Sequence, residues 1–272
     1  MSARPMGIAL ATGLLTEASA ADGRAMEDME RIKRHFSDKS QNWTWVFYGD
    51  SITQGAKHTE GWRDFSQIFA ERVRFELRRR HDAVVNSGNS GQNSRDLLDD
   101  AQYEWQVRRF RPDVVFVMVG MNDSSGDITV EEFKHNLSHL VDRIRADKAI
   151  PVLQTSNTIQ KVENQERHAA RYRQLPIYMN QVRAVALEKD VILVDHFRYW
   201  DEAAARPEIL AAWLGEAIHP GAKGHQEMAV FLLKTLDLHT RDSACSSLAA
   251  GGDALPPAPA SGPEAISSFS GK

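Results

Sequence analysis

The chain has 272 residues, of which 42% are hydrophobic and 26% charged, a composition that suits one sizeable globular domain with or without tails. A formal net charge of −4 provides no basic surface for a polyanion, which excludes nucleic acid as an expected partner. The single cysteine, Cys245, rules out an intrachain disulfide and a zinc site built on thiolates.

Residues 1–20 place Arg4 before a mildly apolar stretch and end in Ala18-Ser19-Ala20, the form of a small-residue cleavage site. Two readings stand for them: a signal peptide on a secreted or periplasmic protein, or a loosely helical extension of a cytoplasmic one. No later run reaches the ~20 apolar residues needed to span a bilayer. Residues 21–40 carry Met26, Met29, Ile32 and Phe36 at helical spacing, which predicts a short helix resting on the domain. Residues 43–48 are a short apolar run suited to a first buried strand. Residues 61–80 put Trp62, Phe65, Phe69, Val73 and Leu77 on one helical face, and Arg78-Arg79-Arg80 closes that helix as a solvated cationic end. A second strand is expected at 83–85 and a helix at 95–110. Val114-Val115-Phe116-Val117-Met118-Val119 is apolar at every position, which predicts a central strand buried on both faces.

Thr129-Val130-Glu131-Glu132 has the form of a capping box ahead of a helix striped by Phe133, Leu137, Leu140, Val141 and Ile144. Residues 150–153 and 191–194 supply a fourth and a fifth strand. Pro176 is expected in the first turn of a helix that ends near Lys189. A last helix follows Pro220 and carries Met228, Phe231, Leu232 and Leu236. Residues 241–272, rich in Ala, Ser, Gly and Pro, cannot bury enough apolar surface to offset their ordering entropy and predict a disordered tail. The expected organisation is an N-terminal segment 1–40, a domain 41–240 and that tail. Strands alternating with helices predict a three-layer α/β/α sandwich around a parallel sheet.

Ligands of such folds sit beyond the carboxyl ends of the strands, and the polar segments of this chain fall there. Ser51 follows strand one in Gly49-Asp50-Ser51. A serine hydroxyl needs a neighbouring base to become a nucleophile. Among ten histidines, His219 stands out, in a loop just before Pro220 and three residues after Glu216, which can orient the imidazole as a triad acid does. Asp195, Asp201 or a backbone carbonyl are the alternatives to Glu216. His81, His135, His139 and His168 read as surface residues. Attack on an ester carbonyl also needs donors for the developing oxyanion, and the backbone amides of Ser51 and Gly91 and the side chain of Asn122 are the candidates.

The blocks Gly49-Asp50-Ser51-Ile52-Thr53-Gln54-Gly55, Asn86-Ser87-Gly88-Asn89-Ser90-Gly91, Gly120-Met121-Asn122-Asp123 and Glu216-Ala217-Ile218-His219-Pro220, in this order, resemble the four blocks of the GDSL, or SGNH, hydrolases. The four letters of SGNH fall on Ser51, Gly91, Asn122 and His219, and the resemblance covers about residues 43–238. It implies a flavodoxin-like five-stranded sheet and ester hydrolysis through an acyl-enzyme, with no metal and no cofactor. One departure is Glu216, where the family usually has Asp. Polar segments at 57–60, 124–127 and 157–174 favour a small or polar substrate: a short-chain or acetyl ester, including acetylated carbohydrate. A lysophospholipase or thioesterase of the same family is the alternative. A non-catalytic binding module on the same scaffold is a third reading, supported only by the unusual acid.

Overall fold

The computed structural model describes residues 23–55, 59–162 and 165–247. The signal peptide considered for residues 1–20 and the tail from residue 248 onward lie outside the described residues. Five strands, β1 (Thr44–Gly49), β2 (Ala83–Asn86), β3 (Val114–Met118), β4 (Ile150–Gln154) and β5 (Ile192–Val194), form one parallel sheet in the order β2-β1-β3-β4-β5. The α-helices are α1 (Arg24–Ser37), α2 (Ser51–Gln54), α3 (Phe65–Glu71), α4 (Ser94–Leu98), α5 (Asp100–Gln106), α6 (Val130–Ala146), α7 (Glu166–Glu188), α8 (His196–Ala204), α9 (Pro207–Trp213), α10 (Ala222–Thr235) and α11 (Ala244–Ser247). The three-layer α/β architecture expected from the alternation is therefore present.

Period-2 alternation decides which side chain meets which layer. Trp45 and Phe47 of β1 and Phe116 of β3 gather with Phe65 and Phe69 of α3 on one face. Tyr48 turns to the other, where it meets Tyr103 of α5 and donates its hydroxyl to the Leu97 carbonyl. Both faces are covered, which is why β1 and β3 read as unbroken apolar runs. The strand order reverses between β1 and β3, whose residues Gly49 and Met118 are in register. A crevice opens at such a switch point. The chain leaving β1 carries Ser51, and the chain leaving β3 carries Asn122.

Several local expectations are corrected. The helix expected at 95–110 is broken at Asp99 (φ −56°, ψ 132°), whose carboxylate accepts from the Gln102 amide and caps α5. The helix expected at 61–80 starts only at Phe65, behind a reciprocal capping box of Asp64 and Gln67, and its last turn widens to a π-helix at Arg72–Glu76. Thr129 does cap α6, but the Glu132 carboxylate that would complete its box is taken by Arg95 at 2.8 and 3.1 Å. Pro176 lies inside α7 rather than at its start. It stands on the exposed side, where the Tyr172 carbonyl it cannot pair with can tilt to water. Within the segment 157–174, residues from Glu166 onward are therefore helical. Helices α8 and α9 were not expected, although Asp195 caps the first and Pro207 opens the second.

Two exposed assignments are also reversed. Arg79, read as part of a solvated cationic end, is buried, bonding to the carbonyls of Asp38 and Gln41. The first part of the expected tail is packed: Ser243 and Cys245 are buried, and Gln226 donates to the Cys245 carbonyl at 2.8 Å. No helix of the described residues is long and apolar enough to cross a membrane.

Candidate active site

Ser51 is the first residue of α2, and the preceding Asp50 caps that helix by accepting from the Ile52 amide at 2.9 Å. The Ser51 amide therefore belongs to the first turn, where N–H groups have no intrahelical acceptor and point outward. Its hydroxyl meets His219 Nε2 at 2.8 Å, across 168 positions of sequence.

His219 comes from a tight excursion between α9 and α10. Leu214 and Pro220 form an antiparallel bridge, and the Gly215 amide donates to the His219 carbonyl at 2.9 Å. Glu216 sits at the tip of this small hairpin. One of its oxygens, Oε1, accepts from the His219 amide at 2.9 Å and meets His219 Nδ1 in a short hydrogen bond. A carboxylate accepts only, so Nδ1 carries the proton and Nε2 is left to accept from Ser51. Burial pushes the Glu216 carboxyl up, but the hydrogen bonds from His219 outweigh it and hold the group below the usual carboxylate range. The excursion is pinned to the chain after β4: Asn157 Nδ2 donates to the Ile218 carbonyl and the Gln160 amide to the Ala217 carbonyl, both at 2.9 Å.

The remaining two blocks meet each other. Gly91 has φ +87°, a conformation open to glycine and strained for other residues, and it turns the chain after β2 toward β3. The next residue, Gln92, accepts from Asn122 Nδ2 at 2.8 Å, so one amide hydrogen of Asn122 is used to tie it to the Gly91 loop and one remains. A hydroxyl on an imidazole that a carboxylate orients is the arrangement that activates a serine for acyl transfer.

The rival acids sit elsewhere. Asp195 is held by Arg183 at 2.7 and 2.9 Å, and Asp201 accepts from Thr158 at 2.6 Å. His168, read as a surface residue, is buried against the Gln160 carbonyl. Lys57 and His58 of the polar segment after the nucleophile lie outside the described residues. Two buried carboxylates beneath the site had not been singled out. Burial pushes Asp50 up to about 7, and the neighbouring Asp123 charge adds to the shift while the Ile52 amide opposes it. Asp123, which accepts from the Ser94 amide at 2.9 Å, is also raised by burial. Among the described residues no group of three or more His, Cys, Asp or Glu side chains is arranged to hold a metal ion.

Comparison with known proteins agrees with this fold and these motifs. An acetylxylan esterase of Geobacillus stearothermophilus is 29% identical over 215 residues, covering 70% of this chain and 92% of that protein. A solved structure of a mutant acetyl-xylooligosaccharide esterase from Geobacillus superposes with a TM-score of 0.58 at 25% identity, covering 71% of this chain and 94% of the other. An uncharacterized protein of Mycoplasma pneumoniae is 33% identical over 113 residues, but that match spans 39% of this chain and only 12% of the much longer relative. The fold and these relatives define an esterase-type hydrolase. The chain belongs to the GDSL-like lipase/acylhydrolase family, whose model matches residues 47–227.

Proposed function

We propose that this protein is a serine-dependent carboxylic ester hydrolase that works through an acyl-enzyme on Ser51. The observation that carries the proposal is the chain of contacts from the Ser51 hydroxyl to His219 Nε2 and from His219 Nδ1 to Glu216. His219 takes the hydroxyl proton as Ser51 attacks the ester carbonyl. Glu216 holds the tautomer and meets the imidazolium charge. The amides of Ser51 and Gly91 and the remaining N–H of Asn122 receive the oxyanion. His219 then protonates the departing alcohol, and water, activated the same way, releases the acid. The hydrolase unit in this proposal is residues 41–240, with α1 and α11 packed on it.

The substrate favoured is a short-chain or acetyl ester, with acetylated carbohydrate first, because two relatives that match over most of their own length, one by sequence and one by structure, are named for acetylated xylan and its oligomers. The test is a panel of acetyl and long-chain p-nitrophenyl esters and an acetylated xylo-oligosaccharide, run beside Ser51→Ala. Wild type should hydrolyse the acetyl esters and take a fluorophosphonate label, and Ser51→Ala should do neither. Wild-type rates in Ser51→Ala would overturn the mechanism, and a preference for long chains would overturn the substrate class.

A further inference from the structure

Arg171 lies on α7, 120 positions from Ser51 in sequence, in a charged helical stretch that gives no motif signal. Its guanidinium is nonetheless buried. Nε donates to the Met121 carbonyl at 3.0 Å and Nη2 to the Ser125 hydroxyl at 2.7 Å. These acceptors bracket the turn at 120–125 that presents Asn122. Within the turn, the Ser124 amide bonds to the Gly120 carbonyl at 3.0 Å and the Ser124 hydroxyl to the Met121 carbonyl at 2.9 Å. The Met121 carbonyl therefore receives one donor from inside the turn and one from α7. Arginine suits this place because its planar fork presents donors at fixed angles to two separate acceptors, which a single ammonium cannot match.

The same helix closes the other side of the turn. Gly120 has φ +122°, and a Cβ there would come within 2.6 Å of the Met179 side chain. Among the described residues no carboxylate forms an ion pair with Arg171. Burial, with Arg167 adding to it, holds its guanidinium below the usual arginine range, while Asp50 and Glu216 pull the other way. A cation kept in so desolvated a place is costly, and its two hydrogen bonds converge on one short segment of backbone.

We propose that Arg171 is a positioning residue that fixes the oxyanion donor Asn122 by clamping the turn at residues 120–125 onto α7. The inference rests on the ester-hydrolase reading above. Its effect belongs in the chemical step, because an oxyanion donor acts on charge that exists only in the transition state.

The test is a double-mutant cycle on the full chain with p-nitrophenyl acetate. Arg171→Met should lower kcat about 10-fold, less than the 10²–10³ of deleting a donor outright, and leave KM within about 2-fold. Arg171→Lys should recover part of that loss. In an Asn122→Ala background the same Arg171→Met change should cost less than about 2-fold, since a clamp has no effect once the group it positions is gone. Ser125→Ala removes the second anchor while keeping the cation, and should give a smaller kcat loss that also vanishes with Asn122→Ala. It carries the cycle if Arg171→Met does not fold. Wild-type kcat in Arg171→Met, or equal losses with and without Asn122, would overturn the clamp while leaving the hydrolase reading intact. A wild type that neither hydrolyses the ester nor takes a fluorophosphonate would sink the hydrolase reading, and the clamp with it.

Discussion

Each end of the sheet holds a histidine paired with a carboxylate, and the two pairs differ in what the second ring nitrogen meets. At the carboxyl end, His219 has Glu216 on Nδ1 and the Ser51 hydroxyl on Nε2. At the amino end, His35 of α1 has Asp82 on Nε2 at 2.6 Å and Arg79 on Nδ1 at 3.3 Å. A hydroxyl gives up its proton when its oxygen attacks. A guanidinium does not, so it only fixes His35 as the neutral tautomer that donates to Asp82. Exposure follows the same division. The side chains of His219 and Glu216 are 17% and 47% accessible, against 2% and 0% for His35 and Asp82. The Asp82 carboxylate is fully occupied, accepting from His35, from Trp45 Nε1 and from the Trp43 amide beside the Arg79 ion pair. A histidine–carboxylate pair is thus not in itself a catalytic device. Its third partner and its access to solvent decide whether it moves protons or joins a helix to a sheet.

Mutating the two pairs should separate activity from stability. The largest effect is expected from His219→Ala, which should lower kcat about 10⁴-fold or more with little change in Tm. His35→Ala should do the reverse, lowering Tm while kcat per folded molecule stays at the wild-type value. A kcat collapse in His35→Ala, measured on protein shown folded by circular dichroism, would break the comparison. Asp82→Ala should destabilise by about 3–5 kcal/mol in urea titrations, because it strands Arg79 without its counter-charge in a buried site. A loss below about 1 kcal/mol would mean that water reaches the cluster. Glu216→Gln should cost about 10²-fold in kcat/KM, less than loss of His219, because the half-exposed acid orients the base but takes no proton. Equal rates would return the role to a backbone carbonyl.

The smallest expected effect concerns pH, and here two buried aspartates have opposite signs. Burial raises Asp82, but hydrogen bonds from His35, Trp45 and Trp43 outweigh it and hold the group below the ordinary carboxylate range. Its contribution is full above the unfolded pKa and is lost as pH falls through the folded one. Asp50 is raised from 3.8 to about 7. The folded state holds that proton more tightly than the unfolded chain, so stability declines as pH rises from about 4 to 7. Asp50→Asn should therefore raise Tm at pH 8 and change it little near pH 4. The same gain at both pH values would show that Asp50 is not kept neutral by burial.

The parts of this molecule legible in the sequence are those where one residue's environment is set by its neighbours. An unbroken apolar run such as 114–119 can only be a doubly covered strand, and a polar block at its end must lie at the sheet edge. Ser51, Gly91, Asn122 and His219 were legible as candidates that way, each at the end of a strand or the mouth of a helix. Arg79 and Arg171 were not. Both sit in charged stretches without a motif, and their burial depends on chain that packs over them from about 40 and 50 positions away. Asp99 reads as an ordinary helical residue until its carboxylate is seen capping the next turn. Pro176 reads as a helix start, although it follows ten residues of the same helix on a face where a missing hydrogen bond costs little.

The bridge between Leu214 and Pro220 has a consequence for assembly. It makes the Glu216–His219 pair a local structure, closed by contacts within a few residues and needing no strand of the sheet to form. Ser51 joins that pair only when chain from opposite ends of the sequence has docked. Regained ester hydrolysis during refolding would therefore time one late, long-range event, separately from the spectroscopic recovery of helices.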